Sequence, residues 1–128
     1  MNKMKIDFTL EEEFAIYKVA KMMAEADGVV LHKELEGIAE CMASLGLTGE
    51  AYDKVVVSGE KMATIEALSR IEKMGEEKKK FVSSFLGNLI AIDGDVADVE
   101  MALWAFIIKA ADLPKMNIRQ AVDIFKRY

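Results

Sequence analysis

The chain has 128 residues, 52% of them hydrophobic, with eight Gly, one Pro and a single Cys. That is the size of one ordinary domain around one core, and it excludes an intrachain disulfide and any low-complexity linker. A net charge of -5 argues against nucleic acid as a partner, because phosphate binding draws on clustered Lys and Arg.

Residues Met1 to Phe14 carry Asp7 and Glu11-Glu12-Glu13, where a signal peptide needs an uncharged apolar core, so a cytoplasmic setting is expected. Thr9-Leu10-Glu11-Glu12 is a capping box and predicts a helix from Leu10. Phe14, Ile16, Val19, Ala20, Met23 and Ala24 spread over most of its circumference, so it should be largely buried. Gly28 is placed to close it. A second helix is predicted from His32 to Ser44, with Leu35, Ile38, Ala39, Met42 and Leu45 at helical spacing and Gly46 as its stop. Cys41 falls in that stripe and reads as an inert core thiol.

A short third helix is predicted from Thr48 to Val57, with Ser58-Gly59 as the following turn. A fourth covers about Glu60 to Lys73 with a break near Thr64, turning Ile65, Leu68 and Ile71 inward. Gly75 precedes a long helix, Glu76 to Ile92, whose acidic first turn suits the helix dipole. Lys78-Lys79-Lys80, the one basic run, reads as a solvated face paired with Glu76 and Glu77. A sixth helix, about Asp98 to Ala111, presents Met101, Trp104, Ala105 and Ile108 inward, and Pro114 prevents its continuation. Trp104 there reads as core. Asn117-Ile118-Arg119-Gln120 is a second capping box opening a terminal helix with Val122 and Phe125 inward. The longest uncharged apolar run, Met101 to Ile108, is eight residues and far too short to span a bilayer.

Asp-Gly-x-Val-x-x-x-Glu occurs twice, as Asp27 to Glu34 and as Asp93 to Glu100. At the same offset Ala39, Leu47 and Val56 meet Ala105, Leu113 and Val122, and the apolar stripes correspond. The expectation is therefore an all-α single domain, residues 1–128, of about seven helices. Its repeat halves, about 10–57 and 76–125, should be related by a pseudo-twofold that packs the two central helices together.

Asp-Gly-x5-Glu is the second half of the calcium-loop pattern of EF-hands, in which Asp gives one oxygen and Glu two. The first half is missing, so a cation held here would be bound weakly. Asp95 and Asp98 add carboxylates to the second copy. The candidate ligands are thus Asp27, Glu34, Asp93, Asp95, Asp98 and Glu100, for Ca²⁺, Mg²⁺ or Mn²⁺. The competing reading needs no metal: Asp-Gly turns a helix junction, and Glu in a first helical turn is favoured by dipole and capping. His32 reads as a solvated residue. With one His and one Cys, both explained by position, no catalytic set is present, and no cofactor beyond the cation is called for.

Through Met22-Met23-Ala24-Glu25-Ala26-Asp27-Gly28-Val29-Val30 with Glu34, the second copy Ile92-Asp93-Gly94 to Glu100, and the segment before Gly75-Glu76-Glu77-Lys78, the chain resembles the TerB-like family of helical domains, named for a tellurite-resistance component. The resemblance implies an all-helical duplicated domain, non-enzymatic, with acidic Asp-Gly turns that bind divalent cations. It implies a role in tellurite-type stress responses beside protein partners at the inner membrane face. The match assigns Asp27, Glu34, Asp93 and Glu100 to the metal; Asp95 and Asp98 are added by proximity. Members place Ser, Asp or Thr as helix caps where this chain has Leu31 and Ala97, so those caps are expected to be lost. Three functional readings follow: a non-catalytic interaction module with a weak cation site, a metal-free adaptor holding a basic or membrane-bound protein, and an enzyme using paired carboxylates, ranked in that order. Self-association remains open alongside them.

Overall fold

The computed structural model describes residues 5–26, 28, 30–93 and 98–128, the side chain of Asp93 excepted. These residues form seven helices and no strand: α1 (Leu10–Ala24), α2 (His32–Ala43), α3 (Gly49–Lys61), α4 (Thr64–Glu72), α5 (Glu76–Asp93), α6 (Asp98–Ala110) and α7 (Ile118–Phe125). No helix among them is long and apolar enough to cross a membrane.

The α1 capping box is complete. The Thr9 hydroxyl accepts from Glu12 N at 3.2 Å, and Glu12 Oε1 accepts from Thr9 N at 2.8 Å. Asn117 and Gln120 do the same for α7, at 2.8 and 2.9 Å. Gly28 and Gly46 follow α1 and α2 with φ of +85° and +81°, a conformation that costs glycine nothing.

Two helices form the centre. In α5 every residue from Phe81 to Gly87 is buried, and α1 buries Ala15, Ile16, Tyr17, Val19, Ala20, Met23 and Ala24. A helix covered on nearly all sides must satisfy its polar groups internally. Ser83 Oγ donates to Pro114 O at 2.9 Å and Ser84 Oγ to Phe81 O at 2.8 Å. Helices α3 and α4 pack on α1, α7 packs on α5, and α2 and α6 each pack on both α1 and α5. Phe81 gathers Phe8, Phe85, Phe125 and Tyr128 around it at centroid distances of 4.9 to 5.8 Å. On the far side of α1, Glu60 Oε1 takes hydrogen bonds from Lys21 Nζ at 2.6 Å and Tyr17 Oη at 3.3 Å. Burial and the neighbouring Glu60 carboxylate push the Tyr17 hydroxyl up to about 12.

Several expectations are corrected. Ser58-Gly59 is no turn: α3 runs on to Lys61, and Gly59 is required by close approach. A Cβ there would stand 2.7 Å from Tyr17 Cδ2 and 3.2 Å from Phe14 O. The break between α3 and α4 falls at Met62 and Ala63, both extended. Ile65 is 80% exposed rather than inward, because it lies two residues, about 200° of turn, from the inward Ala67. Leu35 sits at the exposed edge of α2, whose core line runs through Ile38, Cys41 and Met42. Ala105 is exposed, and Ile107 takes the inward place beside Trp104 and Ile108.

The basic run also departs from the local pairing expected of it. Lys78 Nζ donates to Glu12 Oε1 on α1 at 2.7 Å and lies 5.5 Å from the Phe8 ring centroid. Lys79 Nζ donates to Asp112 Oδ2 at 3.3 Å.

Helix ends related by the motif offset use the same bonds. Leu47 N donates to Met42 O at 3.3 Å and Leu113 N to Ile108 O at 2.8 Å. Asp112, which stands at this offset from Gly46, also has positive φ, +54°, a region Asp tolerates better than most residues.

Candidate functional site

The two glutamates of the repeated motif come together. Glu34 on α2 and Glu100 on α6 line one cavity of about 20 Å³ with Ala20, Met23, Ala24, Lys33, Gly37, Ile38, Leu89 and Ile92. Four helices, α1, α2, α5 and α6, supply its walls. A space of that size holds about one water molecule or one ion.

The local fold fixes each group. Leu31 has no side chain with which to cap α2, but Glu34 reaches back, and its Oε1 accepts from Leu31 N at 2.9 Å. One half of a capping box thus survives the loss of the other, and it holds the Glu34 carboxylate at the junction. Glu100 occupies the first turn of α6 and is only 7% exposed. Burying an ionised carboxylate that far is costly unless it is paired or hydrogen-bonded. Neither Glu100 nor Lys33 is without a polar partner. Gly37 leaves space in the wall. A Cβ there would meet Ile92 Cγ2 at 3.5 Å, ordinary contact.

Of the other predicted ligands, Asp98 is exposed at the first position of α6. Asp27, the side chain of Asp93, and Asp95 lie outside the described residues, as does the expected lost cap at Ala97. Among the described residues no group of three or more His, Cys, Asp or Glu side chains is placed to hold a metal. His32 points away from the cavity's polar set: its Nε2 pairs with Glu36 Oε1 at 2.7 Å on the open face of α2.

Sequence reading missed Lys33. Its signal is its place directly before the motif glutamate, with Gly37 one helical turn on along the same face. Among the described residues the cavity is therefore lined by two glutamates, one lysine and an apolar surround. Such a set can bind a cation or satisfy its own charges, but it has no nucleophile and no histidine.

Cys41 behaves as a core residue. It is 3% exposed, accepts from Asn88 Nδ2 at 3.6 Å, and burial pushes its thiol up to about 11. Trp104 is 2% exposed, its six-membered ring pressed against Gly87, where a Cβ would stand 2.7 Å from Cζ2.

No protein-family model and no curated protein matches the chain. Among solved structures it is similar to a protein of unknown function from Porphyromonas gingivalis, with 32% sequence identity and a TM-score of 0.88, over 96% of this chain and 99% of that one. Identity at that level across nearly the full length of both chains places this chain in the same family as the Porphyromonas gingivalis protein.

Proposed function

We propose that this protein is a non-catalytic helical interaction module of TerB-like type, which holds a divalent cation weakly at the junction of its two repeat halves. The observation that carries the cation site is the convergence of Glu34 and Glu100 on one cavity. In this reading the cavity carboxylates supply some of the oxygens, and Asp93 and Asp95 or water complete the shell, since a hard cation takes six to eight; Asp98, exposed on the side of α6 opposite Glu100, is not among them. Asp27, from the first copy of the motif, is a further candidate oxygen ligand for the same cation. The duplication itself is supported by the helix starts: Leu10 of α1 and Glu76 of α5, and His32 of α2 and Asp98 of α6, stand at the offset that separates the two motifs. It is supported too by the way α2 and α6 each pack on both central helices, α1 and α5. A cytoplasmic role in a tellurite-type stress response, with protein partners at the inner membrane face, goes with the family resemblance.

Titration with Ca²⁺, Mg²⁺ and Mn²⁺ at millimolar levels tests this. Amide resonances of residues 31–37 and 98–102 shift if the cation binds there. Unmoved resonances with all three cations overturn the site.

A metal-free adaptor is the second reading, and Lys33 favours it. Lys33 is in the cavity lining with both glutamates and carries the kind of positive charge a metal would bring. Here the acidic turns hold a basic or membrane-bound protein. Asp95→Lys with Asp98→Lys then removes co-purifying partners, while Glu100→Gln leaves them in place.

A further inference from the structure

Helix α6 departs from the usual pattern on its outer side. A surface helix normally turns polar residues to solvent. Here the core side is taken by Glu100, Trp104, Ile107 and Ile108, and the opposite side exposes Val99, Ala102, Ala105 and Phe106 between two charges, Asp98 and Lys109. Val99 is 43% exposed and Phe106 56%. No polar side chain interrupts this face between its two ends.

The charges make the face self-complementary. Asp98 and Lys109 are 11 residues apart, which at 3.6 residues per turn puts them within about 20° of each other on one flank and about 16 Å apart along the axis. Two copies of α6 laid antiparallel about a twofold near the middle of the helix bring each Asp98 to the other copy's Lys109. A twofold interface has this reciprocity: residue i meets j, and j meets i. The alanines allow the two axes to approach closely, and the two Phe106 rings fill the space beside the axis. Antiparallel helix dipoles add to the fit.

We propose that the outer face of α6 is a docking surface for a second copy of this chain, and that the protein forms an antiparallel α6–α6 dimer in solution. One face of a 13-residue helix covers about 20 Å of length and falls well short of the ~800 Å² per partner of a standard interface. The dimer is therefore weak and concentration-dependent.

Sedimentation equilibrium of the full chain in EDTA, which removes any bound cation, tests the proposal from about 10 μM to about 1 mM. The weight-average mass rises from 14.3 kDa toward twice that value. Phe106→Asp weakens the dimer by at least about tenfold. Asp98→Lys and Lys109→Asp, each alone, set like charges opposite one another and weaken it about three- to tenfold. The double variant Asp98→Lys with Lys109→Asp restores it, which only the antiparallel register explains. All of these positions are exposed, so far-ultraviolet circular dichroism stays that of the parent chain. A mass of 14.3 kDa at every concentration overturns the dimer. Self-association that ignores Phe106→Asp overturns the surface, and a double variant as weak as the single ones overturns the register.

Discussion

Lys78 Nζ stands 2.7 Å from Glu12 Oε1, joining the first turns of α5 and α1, the two central helices. Both side chains are partly buried, and the Phe8 ring lies under the ammonium at 5.5 Å. A charge-assisted bond with a ring beneath it is worth more than an open surface pair.

The acid side of the stability profile should follow from this contact. Burial pulls the Glu12 carboxyl up, but hydrogen bonds from Lys78 and the Thr9 amide, with the Lys78 charge, outweigh it and hold the group below its ordinary 4.5. A depressed folded-state value contributes stability that is present above 4.5 and lost as pH falls through the folded value. Glu60 adds to the same trend, held down first by its bond from Lys21. Urea unfolding at pH 7 and below pH 4 should show the parent chain losing more stability than Glu12→Gln over that interval. An equal loss in both means the pair contributes nothing.

Glycine placement gives a second prediction. Gly87 lies where α5 meets α7 and α6, and a Cβ there would stand 2.4 Å from Ala121 Cβ and 2.7 Å from Trp104 Cζ2. Neither neighbour can swing aside, so Gly87→Ala should destabilise by about 1–3 kcal/mol even though alanine is the better helix former. Gly37→Ala meets only Ile92 and Leu89 at ordinary distances and should gain up to about 1 kcal/mol. Thermal unfolding of the two variants checks the contrast in sign.

The single thiol gives a third. With Cys41 buried and its thiol pushed up to about 11, a disulfide reagent at pH 8 should label it only as fast as the chain opens. Labelling of the native protein at the rate of an unfolded peptide would show that the α2–α5 contact is loose.

Much of this fold could be read from the chain because its signals are local. Thr9 with Glu12, and Asn117 with Gln120, mark their helix starts by side-chain chemistry alone, and the alternation of apolar stripes identifies α1, α2 and α5. What could not be read depends on contacts distant in sequence. Gly59 looks like a turn until Tyr17 is seen against it, Ile65 looks like core until the break at Ala63 sets the phase of α4, and Lys78 looks solvated until Glu12 arrives from α1. The site divides the same way. The repeated motif pointed to Glu34 and Glu100, whereas their meeting at one cavity, with Lys33 in its lining, follows only from the packing of α2 and α6 on the two central helices.

The central claim is that Glu34 and Glu100 serve a single cation at that cavity. Paramagnetic broadening by Mn²⁺ locates a bound ion directly. The predicted result is broadening centred on Ala20, Gly37, Ile38 and Leu89, reversed by EDTA, with Glu100→Gln and Glu34→Gln each weakening binding by at least about tenfold, as expected when a carboxylate is lost from a weak site. Broadening scattered over the acidic surface, or centred on the cavity yet indifferent to both substitutions, would contradict the account.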